Sequence, residues 1–446
     1  MKSKSRFRML ATVLAALVPA ANLAAQARSE QAMGGFPRYA LIDLESLPGG
    51  PFSQAAYLSD FGLPVGIVAT AKGVQHAAAW PDGILFDVGT PGLKGPNSGL
   101  FGINAAGVAS GQAESSASDP NNENFCAYGT GLKCLPAAFQ HGVMTALPLL
   151  GGNNGTVGNV NSQGEIPGVA ETGTKDSSCP TKPQPTGVGP LVFDFKAVVW
   201  GPKPKQIRRL GTLGKDTVSI ALWINDKGQA VGVSGSCANT NLPPFSAGPH
   251  AVLWQKDGSA HDLGNLGGTI DEGTIGSGNV ALAINNLGQI VGASVTPSGS
   301  PHAFLWTPEQ GRMVDLETLD GDPFSGAQGI DDRGEIVGSS GADLMHSRAF
   351  VWKDGMMMDL NQLVPAKSPL YLVDAAAINA SGVIAGIGAT QSGDIHTFLA
   401  IPCDWRHAGE AACKALAASK DHDAVERDLR MPDNIQWPQL QPYLHR

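Results

Sequence analysis

Charge is scarce in this sequence. Asp, Glu, Lys and Arg make up 15 % of its 446 residues and aromatics 6 %, a composition that suits strands buried on both faces. No apolar run reaches the roughly 20 residues that a bilayer-spanning helix needs, so no membrane span is expected. The six cysteines include no Cys-x-x-Cys pair, which argues against a zinc site. Gly-x-Ser-x-Gly, His-Glu-x-x-His and phosphate-loop motifs are missing too. Basic residues are outnumbered, 30 against 39, for a formal charge of −9. An acidic surface argues against nucleic acid and anionic membrane as partners.

What the chain has in quantity is punctuation: 57 Gly and 31 Pro, more than helices tolerate. Between these lie short apolar runs of strand length, clearest in residues 281–319. They recur in a fixed order. A turn reads Ile103-Asn104-Ala105-Ala106-Gly107, then Val160-Asn161-Ser162-Gln163-Gly164 and Ile224-Asn225-Asp226-Lys227-Gly228. It returns as Ile284-Asn285-Asn286-Leu287-Gly288, Ile330-Asp331-Asp332-Arg333-Gly334 and Ile378-Asn379-Ala380-Ser381-Gly382, with a worn first copy at Leu58–Gly62. A third-strand anchor falls at Trp80, Trp200, Trp254, Trp306 and Trp352, with Gln140 and Ala400 standing in elsewhere. Seven units of roughly 45 to 60 residues result, the blade-sized period of kelch-like propellers.

The units resemble the HAF repeat, named for the triplet seen here at His302-Ala303-Phe304, with variants at His250-Ala251-Val252 and His396-Thr397-Phe398. The resemblance covers residues 39–401 and implies an extracytoplasmic repeat protein; it implies little about biochemical role.

Residues 1–27 have the form of a cleaved signal peptide: basic Lys2, Lys4, Arg6 and Arg8, an apolar core over Met9–Val18, and a small-x-small site at Ala25-Gln26-Ala27. Its removal would take the formal charge to about −13 and leave a secreted or periplasmic chain. A short linker, residues 28–38, follows. Residues 39–47 then carry a fourth-strand pattern ahead of any other strand type, while the seventh unit stops after its third strand near Ile401. The expected fold is therefore all-β: a seven-bladed β-propeller of four-stranded blades over residues 39–401, closed by the N-terminal strand in the last blade. Residues 402–446 form a tail with a helical stretch near Ala411–Ala418, too short for a core of its own and expected to dock on the propeller. Small residues before the Ile-Asn turn place the first strand nearest the axis.

First-to-second and third-to-fourth turns are tight, whereas the other two connection classes vary in length and would emerge together on one face. The longest are residues 114–135, 171–193, 234–249 and 266–280. Variable loops on a rigid scaffold are where binding usually resides. Cys126 and Cys134 share one of these loops, Cys179 and Cys237 lie in loops of adjacent units, and Cys403 and Cys413 bracket the start of the tail. Three disulfides in those pairs are expected.

His76, His250, His302 and His396 share one third-strand register, with Lys196 and Arg348 at the same register elsewhere. A metal would not accept Lys or Arg as substitutes, so the histidines read as architectural. Asn-x-x-Gly lacks the spaced oxygen ligands of a calcium loop and reads as turn chemistry. Neither a metal nor a cofactor is expected. Asp216, Asp271, Glu272 and Asp322 lie in loops leading to the innermost strands and are the candidate binding residues. Two functions follow: a monomeric binding or scaffold module for a glycan or protein on the long-loop face, or a polysaccharide-active hydrolase or lyase with carboxylates at the channel mouth.

Overall fold

The computed structural model describes residues 35–184, 187–203, 205–243, 246–270, 278–342, 346–404, 406–407 and 409–418. The expected signal peptide lies outside them, as do the last residues of the tail. Seven antiparallel four-stranded sheets are arranged as the blades of a propeller. Blade I begins at Ser53, blade II at Lys94, blade III at Gly151, blade IV at Val218, blade V at Val280, blade VI at Phe324 and blade VII at Tyr371. In each of the first six, sequence order and spatial order agree. In blade VII the fourth position is taken by Tyr39–Asp43, with Tyr39 opposite Pro402 and Asp43 opposite Phe398.

The repeated residues explain the stacking. Each turn Asn folds its side chain back onto its own turn: Asn225 Oδ1 accepts from the amides of Lys227 and Gln229. Its Nδ2 then crosses to the next blade and donates to Asn285 O at 2.9 Å. Asn104 reaches Asn161 O, Asn161 reaches Asn225 O and Asn285 reaches Asp331 O in the same way. Turn chemistry is thus half of the motif; the other half is a seam between blades. At blade VI the carboxylate Asp331 cannot donate, and Arg333 Nη1 bridges to Ala380 O instead, at 2.6 Å. Asn379 Nδ2 donates to Ser59 O, joining blades VII and I.

The shared third-strand histidines are architectural bonds to carboxylates of the fourth strand. His76 pairs with Asp87, His250 with Asp262, His302 with Asp315 and His396 with Asp43, at 2.9–3.1 Å. At the same register Lys196 pairs with Asp194, and Arg348 with Asp322 and Asp359. One register needs correction. In blade II the strand partner of Ala109 is Phe139, as Trp254 is of Ala230. Phe139, not Gln140, therefore fills the anchor position.

All three disulfides form in the expected pairs, Cys126–Cys134, Cys179–Cys237 and Cys403–Cys413. The last ties helix Ala411–Ala418 to the propeller, where Cys413 is buried with Ala40 and Ile401. No helix among the described residues is long and apolar enough to cross a membrane.

Candidate functional site

The innermost strands carry a recurrent irregularity. In blades I, II, IV, V, VI and VII the first-strand register skips one residue three places before the turn Asn or its equivalent. The skipped residues are Ala56, Phe101, Leu222, Leu282, Gln328 and Ala376. A bulge leaves its extra residue out of the ladder and turns it away from the sheet. Here every one of the six lines a single axial cavity of about 260 Å³, and Gly158 occupies the matching place in blade III. The axis is thus less crowded than the small first-strand residues suggested: Phe101, Leu222 and Leu282 fit there because the bulge turns them into open space.

Trp223 and Asn159 border both this cavity and a second one, of about 200 Å³, at the tight-turn face. They form the partition between the two. The Tyr57 ring stands against Trp223 with centroids 5.5 Å apart. Asn159 is fixed in place, accepting from Ile224 N at 2.8 Å and donating to Ile224 O at 3.0 Å. Among the described residues the larger cavity is therefore a cup with a floor, open at the end lined by the long-loop residues Ala127, Tyr128, Pro243 and Ser246.

Loops of blades II, III and IV are knit into a cap beside and above that opening. Phe125, Val188, Leu191, Leu242 and the Cys179–Cys237 bridge are buried in one apolar cluster, and Phe125 meets Phe195 edge-on at 6.1 Å. Gly189 N donates to Asn124 O, and Val192 N donates to Glu123 Oε1 at 2.6 Å. The Cys126–Cys134 bridge closes the hairpin that brings Ala127 and Tyr128 to the rim of the cup. Gln112 Nε2 donates to the Tyr128 hydroxyl at 3.1 Å. Burial, reinforced by the Glu114 charge, raises the Tyr128 phenol well above its usual range, so it stays protonated and can donate.

Beneath the cap lie three carboxyl groups that sequence reasoning passed over. Glu114, Glu123 and Glu171 are each no more than 1 % exposed. Glu171 Oε2 accepts from the amides of Asn153 and Asn154, while Glu114 accepts from Asn97 and Thr130. Glu123 lies close enough for its charge to act on Glu171, whose Oε1 is buried with no hydrogen-bond partner among the described residues. Burial above all, then the Glu123 charge, pushes the Glu171 carboxyl up to about 8. Burial likewise raises Glu123 and Glu114. Glu114 and Glu171 lie on the second strands of blades II and III and Glu123 in the loop after the first of these; the one available signal was a lone acid among small and amide residues.

The four candidate carboxylates of the sequence fare differently. Asp216 and Asp322 hold equivalent places, each accepting from a second-strand serine, Ser234 and Ser340 respectively. Asp322 is further paired with Arg348. Neither lines the cup. Asp271 and Glu272 lie outside the described residues. Among the described residues no carboxylate, ammonium, guanidinium or imidazole lines the cup.

No family model and no curated protein matches the sequence. Solved structures of similar fold include a Xanthomonas campestris gluconolactonase, 11 % identical with a TM-score of 0.34, aligned over 72 % of this chain and 88 % of that one. TolB from Acinetobacter baumannii is 10 % identical, TM-score 0.38, over 76 % and 64 %. An acylaminoacyl peptidase of Pyrococcus horikoshii is 11 % identical, TM-score 0.39, over 84 % of this chain and 53 % of its own. The chain spans about half the length of such peptidases. These likenesses are of fold.

Proposed function

We propose that the chain is an exported binding module, of the kind its HAF-type repeats suggest, holding a glycan or a protein segment at the capped face of the disc. The observation that carries this reading is the cap itself: three long loops held by a disulfide, cross-loop hydrogen bonds and an apolar cluster shared with the blades beneath. Loops ordered in advance lose less entropy when a partner docks. Three disulfides suit an oxidising compartment. Catalysis on polysaccharide would need two carboxylates facing a substrate; Asp216 and Asp322 are occupied in structural bonds, which leaves that alternative to Asp271 and Glu272.

The test is loop exchange. Residues 114–135, 171–193, 234–249 and 266–280 are each replaced by a tight turn in the mature chain, and each variant is assayed against ligands returned by glycan-array and extracellular-protein screens. At least one exchange should weaken binding tenfold or more with circular dichroism unchanged. Undiminished binding in all four would move the site elsewhere.

A further inference from the structure

Taking the capped face as the binding face, we infer that the axial cup receives the terminal residue of a neutral saccharide. Its lining is selective in three respects. The polar groups are neutral amides and hydroxyls, with Gln54, Gln75, Gln112 and Gln328 drawn from three blades. The Gln54 and Gln75 side chains make no hydrogen bond to another described residue. Gln112 and Gln328 are oriented by bonds in which each Nε2 donates, to the Tyr128 hydroxyl and to Asp374; each bond uses one of the two N–H donors. An amide offers both donor and acceptor, which is the complement of adjacent hydroxyls on a ring.

The apolar surface is equally specific. Trp223 forms the floor, and Phe101 and Leu222 stand on the wall. A pyranose carries C–H bonds on its faces and hydroxyls around its edge, so its face meets an aromatic ring while its edge meets amides. The volume, about 260 Å³, lies below the ~300–1,000 Å³ of sites for drug-sized ligands and suits one ring better than a length of chain.

The floor decides between classes of ligand. Because Trp223 and Asn159 close the cup, only the end of a polymer can enter. The end of a peptide brings an ammonium or a carboxylate, and burying either without a partner is costly. Charged side chains are absent from the described lining. The non-reducing end of a neutral saccharide brings no charge at all.

The experiment is calorimetric titration of the mature chain with neutral hexasaccharides of gluco, galacto, manno and xylo configuration, each beside a counterpart ending in a uronate. At least one neutral hexasaccharide should bind, and its uronate-ended counterpart should bind at least tenfold more weakly. Gln54→Leu keeps side-chain bulk but removes the amide, and should weaken binding at least tenfold. Ala56→Trp fills the cup from a bulge position and should abolish binding with the melting temperature retained. Should Ala56→Trp fail to fold, Gln54→Leu and the uronate comparison decide. No binding by any of the four neutral hexasaccharides overturns the inference, as does equal binding of the uronate form or indifference to Gln54→Leu. Loss of binding on loop exchange but not in Gln54→Leu would refute the cup while leaving the capped face as the binding face. Indifference to both would refute both readings.

Discussion

At Glu171 a carboxyl group with no solvent exposure accepts two backbone amides and sits beside the charge of Glu123. Its unperturbed value is 4.5 and its folded value about 8. Between those pH values the folded chain holds a proton that the unfolded chain has released. The stability tied to this group is therefore fully present below about pH 4.5 and is lost as pH climbs through 8. His396, raised by its bond to Asp43, acts in the same direction: its contribution is present below 6.5 and lost above its folded value. The melting temperature should fall between pH 5 and 8, and Glu171→Gln, which keeps the shape without the titration, should flatten that slope. A slope unchanged in Glu171→Gln would assign it to other groups. Asp331 gives a second test. Asp331→Asn would restore the donor that its blade lacks, and should be neutral or stabilising by denaturant unfolding. The reverse change, Asn225→Asp, keeps the turn acceptor but loses the bond to Asn285 O, and should cost about 1–2 kcal/mol.

Among the elements, strands and turns were legible and the bulges were not. Ile-Asn-x-x-Gly and the Trp anchors locate second and third strands because each signal is local: a positive-φ glycine, an asparagine folded on its own backbone, a large ring in a buried strand. The cysteine pairs were legible for the same reason, since placing the loops on one face brings the partners together. A bulge is a mismatch between two strands, and one strand's sequence does not state it. In ALAIN the residue at the axis is Leu282, flanked by two alanines that pack toward the neighbouring blades, and alternation alone assigns the faces wrongly beyond it. Phe139 was missed through a similar one-residue slip. Long-range partners such as Glu123 with Glu171, or His302 with Asp315, depend on loop paths that a sequence does not give. The cap supplies the prediction at this scale. Replacing Cys179 and Cys237 together by serine should lower stability by ~2–4 kcal/mol and weaken binding at the capped face. The far-ultraviolet spectrum of the blades should persist; a collapsed spectrum would mean that the bridge holds the propeller rather than the cap.

For the whole molecule, the decisive pairing joins residues more than 300 positions apart. Tyr39–Asp43 lies beside Ile395–Pro402 across five registered pairs, and Ile395 N donates to Pro51 O. If this strand closes the ring, deleting residues 32–48 should expose a sheet edge and cause aggregation or a large fall in melting temperature. A truncated chain that melts like the mature one would show that the other 27 strands hold together without it.

The axial bulges have a consequence for engineering. Each of the six blades concerned presents one side chain to the cup from a position outside its own hydrogen-bonding ladder, while the Asn seams run through different residues. The scaffold thus works like a lock whose tumblers can be cut one at a time. A combinatorial library randomised at Ala56, Phe101, Leu222, Leu282, Gln328 and Ala376 should yield mostly folded members that differ in what they bind.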